Sequence, residues 1–361
     1  MGAILVTGAS GMLGRHLVDA LVDAGETVVA GVRDPRARIA DTARRASGGS
    51  STRRAPTVAL GATPTRAPGK PVRAPGQKPA HNPAHKPPRQ SVPGLARPGA
   101  TADLPPISAP AADGGPAAGH AGAQPRAFDL RDRSGWAHAL AGVDRVVLIR
   151  PATITDVART LIPFIDTAMD SGVRQLVFVT QPGPPFDTHS PQHLVEQYLK
   201  RTRAPYTLLR PTLFLQNLTE GLHDDIRRRN EIVLPTGGAR VAFVDARDVG
   251  RVAARVLTEP GHLRRSYHLA GESAFGYREV AELLSGELGR DIHYEAVTAE
   301  RYRELLVSQG MRPETISADL ALYRVARARV VARPNRSIHK LTGRPATTLA
   351  EFVREHRASW Q

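Results

Sequence analysis

The amino-acid sequence predicts an α/β fold with a doubly wound parallel sheet. Three observations carry that reading: strand-like runs alternate with amphipathic helical ones, the strand-like runs are apolar almost throughout, and a glycine-rich turn joins the first strand to the first helix. Ala3 to Val6 reads as the first strand. Gly11 to Ala24 reads as a helix with Leu13, Leu17, Val18, Leu21 and Val22 as its apolar positions, and Thr27 to Val32 as the second strand. After a long atypical stretch, Ser134 to Ala141 reads as a helix leading to a strand over Arg145 to Ile149. Val157 to Ser171 is the next helix and Gln175 to Thr180 the next strand; Gln192 to Arg203 is helical and Tyr206 to Leu209 a strand, followed by Arg210 and Pro211. Further on, Arg240 to Val244 and Ser266 to Leu269 read as strands, and Tyr277 to Leu288 as a helix ending at Gly289.

The atypical stretch between Pro35 and Ala127 holds 17 of the 30 prolines and no aromatic residue, so it cannot build a core. It carries +11 of the chain's net +15, which leaves the remainder nearly balanced. Many prolines, few large apolar residues and one-signed charge do not offset the entropy of ordering, so the stretch reads as a disordered insertion, with a helical turn over Arg36 to Ala46 at its start. It interrupts the chain after the second strand. Closure entropy grows only logarithmically with loop length, so the elements on either side are expected to pair. A basic arm also suits nucleic acid or an anionic membrane through counterion release, but no aromatic is interleaved to stack on bases. Surface expansion is the first reading, and neither a nucleic-acid nor a membrane partner is expected.

At 361 residues the chain has room for two domains, or for one large domain with an appendage. With no cysteine, disulfide scaffolds, thiolate zinc sites and cysteine nucleophiles are excluded. The N-terminus has no basic start and too short an apolar run for a signal peptide, so a cytoplasmic location is the expectation.

Gly8-Ala9-Ser10-Gly11-Met12-Leu13-Gly14 follows the first strand and opens the first helix. Gly8 permits the turn out of the strand, Gly11 lets backbone N–H groups approach a pyrophosphate, and Gly14 lets the helix pack close to the sheet. Ser10 stands where the usual fingerprint has its second glycine. In this strand–turn–helix setting the pattern points to a dinucleotide. Arg33 lies about 20 residues further on, at the end of the second strand, where a basic side chain would grip a 2′-phosphate. NADP(H) is therefore favoured over NAD(H), although the adjacent Asp34 suits a 2′-hydroxyl and Arg33 also reads as an ordinary solvated arginine.

These residues, with Arg33-Asp34-Pro35, Ala141-Gly142-Val143-Asp144, Gly172-Val173-Arg174, Tyr206-Thr207-Leu208-Leu209-Arg210-Pro211, Val244-Asp245-Ala246-Arg247-Asp248-Val249 and Leu341-Thr342-Gly343-Arg344-Pro345, resemble the NmrA-like atypical short-chain dehydrogenase/reductases. The resemblance implies further cofactor contacts. Asp129 and Leu130 would border the adenine, Arg150 and Pro151 the ribose and pyrophosphate, Thr180 and Gln181 the nicotinamide ribose, and Pro211 and Phe214 the nicotinamide pocket. It also implies the organisation 1–35 and 127–273 as one dinucleotide-binding domain, 36–126 as the insertion, and 274–361, joined by 220–238, as a small α/β cap that chooses the acceptor. Phe214, Leu215, Asn217 and Leu218 are candidates for the cap's floor, with Phe214 and Asn217 the candidate substrate contacts, although an apolar run such as Leu213-Phe214-Leu215 is more often core than ligand surface.

Carbonyl-reducing short-chain dehydrogenases use a Tyr-x-x-x-Lys pair, which the corresponding helix lacks: Tyr198 is followed four residues later by Thr202, and Lys200 falls on the opposite side. His193 is the remaining acid/base candidate, at a position resembling that of the missing tyrosine, with Glu196 near enough in sequence to orient it. No metal site is expected: Asp245, Asp248 and His268 look like part of a strand-to-helix crossover in which Asp248 caps a helix, and His81 and His85 have no acidic neighbours. The reading is an NADP(H)-dependent oxidoreductase acting on a quinone-like or small carbonyl acceptor. The alternative is a non-catalytic NAD(P) sensor that binds a protein partner.

Overall fold

The structure is a computed structural model that describes residues 2–35, 122–182, 188–327 and 331–361. The expectations for the insertion up to residue 121, including the helical turn at Arg36 to Ala46 and the pair His81 and His85, lie outside the described residues.

Seven parallel strands form the central sheet: β1 (Ala3–Val6), β2 (Val28–Val32), β3 (Ala123–Ala127), β4 (Val143–Ile149), β5 (Gln175–Val179), β6 (Tyr206–Pro211) and β9 (Arg265–Leu269), in the order β3-β2-β1-β4-β5-β6-β9. The helices are α1 (Met12–Asp23), α2 (Trp136–Leu140), α3 (Leu161–Asp170), α4 (Pro191–Arg201), α5 (Ala246–Thr258), α6 (Tyr277–Leu288), α7 (Ala299–Ser308), α8 (Pro313–Arg327), α9 (Ser337–Thr342) and α10 (Leu349–Glu355). Alternate residues of one strand enter different cores. Ile4 and Val6 pack in the layer that holds Leu17 and Leu21 of α1 and Val249 and Val252 of α5, whereas Leu5 packs with Phe164 of α3 and Leu199 of α4. Both faces of the sheet are therefore covered, which is why its strands are apolar throughout. Each large side chain buried outright this way contributes about 1.5–3 kcal/mol against exposure.

The expected insertion boundary at Arg126 is corrected by β3, which begins at Ala123 and pairs with β2 from Val28↔Ala123 to Val32↔Ala127. Its sequence, Ala-Gln-Pro-Arg-Ala, has no apolar periodicity because β3 closes one end of the described sheet and Gln124 and Pro125 are exposed. Arg126 explains its own presence: Nη1 donates to the carbonyls of Ala139 (2.9 Å) and Ala141 (2.8 Å), at the C-terminal end of α2. The strand expected over Arg240 to Val244 shortens to β8 (Arg240–Val241), paired antiparallel with β10 (Phe275–Gly276). A second pair, β7 (Glu231–Leu234) with β11 (His293–Ala296), joins residues around 231 to those beyond 274.

Candidate cofactor and acceptor site

The strand order reverses between β2-β1 and β4-β5, so the loops after β1 and β4 diverge and leave a crevice at the carboxyl ends of the strands. Thr7, fully buried, ties the two strand ends together: the Ile149 N–H donates to its Oγ1 (2.8 Å) and its hydroxyl donates to the Ile149 carbonyl (3.2 Å).

The glycine turn opens onto this crevice. Gly8 has φ +62°, and a Cβ on Gly14 would lie 2.1 Å from the Gly8 carbonyl oxygen, so the helix approaches the turn as closely as glycine alone permits. Gly11 is the N-cap of α1 and supplies no side-chain cap, which leaves the first-turn N–H groups and the positive dipole end free to meet an anion. Ala9 and Leu13 are buried beneath the turn, Met12 is half-buried, and Ser10 is exposed. The Ala9 N–H donates to the Gly31 carbonyl (3.2 Å), which places the turn beside the end of β2. Arg33 follows there, exposed and with no ion pair among the described residues. This cradle, which a side chain would fill, fits a dinucleotide pyrophosphate, with Arg33, just beyond the end of β2, a cation for a further phosphate.

The other expected contacts divide. After β3, Phe128 and Leu130 are both turned into the core, Phe128 edge-on to Phe164 at 5.0 Å. Leu130 thus gives the adenine no side-chain edge, and Asp129 is the half-buried member of this segment. Its Oδ1 accepts from the Arg131 N–H (2.8 Å), and its carbonyl accepts from the Trp136 indole (3.0 Å). Arg150 is also turned inward: only 2% exposed, it directs Nη1 at the carbonyls of Pro151 (3.3 Å), Ala152 (3.4 Å) and Ile154. It braces the loop after β4, and of this pair Pro151 is the exposed member. Thr180 and Gln181 are buried at the end of β5, as is Pro211 at the end of β6. Phe214 lies in the core at 1% exposure, a correction to its reading as a substrate contact, because Leu213, Phe214 and Leu215 all pack in one apolar layer.

Four of the buried polar atoms without partners among the described residues lie on the segments after β5 and β6, namely Thr180 Oγ1, both amide atoms of Gln192, and Asn217 Oδ1, while others, such as Arg251 Nε, lie elsewhere. Leaving such a group unpaired costs about 1–3 kcal/mol, and active sites are where folded proteins carry that cost. Gln192 is a residue that sequence reading passed over; its signal is its place just inside the helix start Ser190-Pro191, where the Ser190 hydroxyl accepts from the His193 N–H (3.3 Å). His193 is half-buried in the same first turn.

Glu196 does not orient His193. It is held by Arg210 (Nε to Oε1 3.0 Å, Nη2 to Oε2) and approached by Lys200 Nζ (3.5 Å). Tyr198 donates to Asp166 on α3, a partnership that, with burial, pushes its hydroxyl up to about 12. His268 is pushed below the usual imidazole range by burial and by Arg210. Asp245, not Asp248, caps α5, accepting from the Arg247 N–H (2.7 Å). Burial pushes its carboxyl up, but hydrogen bonds from Arg247 and Gln216 outweigh that and leave it below the usual carboxylate range. Asp248 instead receives Arg251 and the Thr347 N–H (2.7 Å). No group of three or more metal-ligating side chains converges among the described residues. A cavity of about 620 Å³ between α1 and α5 is lined by Arg247, Arg251 and Arg255, but Asp245, Asp248 and Glu259 already pair with them.

Comparison with known proteins places this geometry. The NmrA-like family model matches residues 116–353, and that of the NAD dependent epimerase/dehydratase family matches residues 4–57. The NAD(P)H azoreductase of Xenophilus azovorans is 33% identical over 245 residues, 66% of this chain and 84% of that protein. Festuclavine synthase II of Penicillium roqueforti is 30% identical over 229 residues, 62% of this chain and 78% of that protein. Among solved structures, the Citrobacter sp. triphenylmethane reductase complexed with NADP(H) superposes with TM-score 0.66 at 20% identity, covering 98% of this chain and 99% of that one. The NADPH-dependent quinone oxidoreductase of Escherichia coli complexed with NADPH gives TM-score 0.66 at 22% identity and the same coverage. Carrying the glycine cradle on a seven-stranded parallel sheet, and matched by the family model from 116 to 353, the chain belongs to the NmrA-like family.

Proposed function

We propose that this oxidoreductase takes hydride from NADPH and delivers it to a quinone-like or small carbonyl acceptor without a Tyr-x-x-x-Lys pair. The observation that carries the proposal is the set of buried, unpartnered polar atoms on Thr180, Gln192 and Asn217, on segments that follow β5 and β6, at the same carboxyl end of the sheet as the glycine cradle. The similarity to an NAD(P)H azoreductase supports the same reading. When bound, the cofactor supplies the hydride. The chain's residues do the rest: the glycine turn and α1 would hold the pyrophosphate, Arg33 the 2′-phosphate, Thr180 and Gln192 the nicotinamide end, and Asn217 would border the acceptor. Tyr198 and Lys200 are engaged with Asp166 and Glu196, which leaves proton donation to His193.

A quinone, once reduced, takes protons from water, whereas a carbonyl needs a donor at the site. His193→Ala should therefore lower aldehyde reduction by about 100-fold while changing quinone reduction less than about threefold. The founding experiment is NADPH oxidation against a quinone and aldehyde panel, with cofactor binding measured on the same samples. Turnover that vanishes in a cradle variant supports the proposal. Tight cofactor binding without turnover on any acceptor would replace it with the sensor reading.

A further inference from the structure

The turn that carries Asn217, Leu215–Leu218, is anchored from two sides. On one side the Leu215 N–H donates to the Val244 carbonyl (2.9 Å), and the buried Gln216 amide both donates to Asp245 Oδ1 (2.9 Å) and accepts from the Ala246 N–H (3.0 Å). On the other side the Leu218 carbonyl accepts the indole N–H of Trp360 (3.1 Å), far away in sequence. Trp360 is 1% exposed and among the largest fully buried side chains. Its segment is itself tied to the chain just beyond Asn217: His223 Nε2 lies 2.9 Å from the Ser359 carbonyl, Arg290 Nη2 donates to the carbonyls of Trp360 (2.8 Å) and Ile226 (3.1 Å), and Arg227 Nε donates to that of Gln361 (3.0 Å).

We infer that Trp360 is a positioning residue for the acceptor: its indole N–H, given to the Leu218 carbonyl, sets the turn that aims the Asn217 amide. The inference deepens the reductase reading and rests on it. The indole nitrogen is a donor only, and the bond it makes is buried, so its removal takes from the Leu218 carbonyl the donor that holds the turn. A side chain displaced by about 1 Å loses up to about 100-fold in rate, so a remote residue acting through a backbone carbonyl has kinetic consequences.

Trp360→Phe keeps an aromatic ring, smaller than the indole, and deletes the donor. Hydrogen exchange over residues 214–222 reports on the turn directly, because the amides of Leu215, Asn217, Thr219 and Leu222 are all hydrogen-bonded there. The variant should exchange at least about fivefold faster over this stretch, while Phe164→Leu, a destabilised control in the opposite core layer, should not. In quinone reduction, kcat/KM should fall about 5–10-fold with NADPH affinity unchanged within about twofold, and the loss should disappear in an Asn217→Ala background. If Trp360→Phe does not fold, Arg290→Gln loosens the same segment from its rim and should shift both readouts in the same direction. Exchange equal to wild type, or an equal loss of kcat/KM with and without Asn217, overturns the inference. A wild-type protein that binds NADPH but reduces no acceptor overturns the reductase reading instead, and the exchange profile then decides the anchorage alone.

Discussion

Two residues of the cradle make separable predictions. With 2.1 Å between an added Cβ at position 14 and the Gly8 carbonyl oxygen, Gly14→Ala must push α1 away from the turn. Dinucleotide affinity should fall by about tenfold or more while the circular dichroism spectrum is retained, as titration of NADPH fluorescence would show. Arg33 sits at the rim with no ion pair among the described residues, so its loss disturbs no internal pair. A charge-assisted bond to phosphate is worth about 1.5–3 kcal/mol, so Arg33→Ala should weaken NADPH binding about 10–100-fold and leave NADH nearly unaffected. Equal losses for both cofactors would remove Arg33 from the 2′-phosphate site. Aim is what local pattern does not disclose about single residues. Leu130, Arg150 and Phe214 stand at positions where a family member is expected to touch cofactor or substrate, yet each is turned inward by partners distant in sequence or by a carbonyl-lined loop.

At the scale of elements, legibility followed apolar periodicity. β1, β2, β4, β5 and β6 are buried on both faces and were readable as apolar runs to within two residues. The α6 helix was readable in full, because Gly289 in a left-handed conformation marks its end. β3 was not legible, since an edge strand with exposed Gln124 and Pro125 has no core face to impose a pattern. The α4 helix was legible as a helix, but the pairing of its polar residues was not: Glu196 and Arg210 find each other across 14 positions, and Tyr198 reaches Asp166 across 32. Such pairs are set by how helices cross the sheet, which one sequence does not state. The buried amide of Gln192 was missed for the same reason.

For the molecule as a whole, pH dependence offers a test remote from the site. Asp319 of α8 lies in the core 3.4 Å from the Tyr302 hydroxyl, and burial raises its carboxyl to about 6. An acid raised on folding favours the folded state below its unfolded value, and that contribution is lost as pH climbs through the folded value. Stability should therefore decline between about pH 4 and 6 on this account, by on the order of 2–3 kcal/mol. Asp319→Asn should raise the Tm at pH 7.5 and have little effect near pH 4; a Tm gain independent of pH would dismiss this origin. His16, lowered to about 4 by burial and by Arg15, acts in the opposite sense, withdrawing stability as pH falls below about 6.5. Between about pH 4 and 6 the two slopes oppose and largely cancel, so the Asp319 contribution is read from the difference between Asp319→Asn and the parent chain.

The edge strand β3 bears on how copies of this chain behave at high concentration. A parallel sheet that ends in an open strand offers its free amides and carbonyls to any strand that drifts past. Here Pro125 withholds its amide at the strand's centre, and the Arg126 guanidinium folds onto the end of α2. The rim of the sheet is thereby a poor template for edge-to-edge stacking, a safeguard built from the very residues that made the strand hard to recognise.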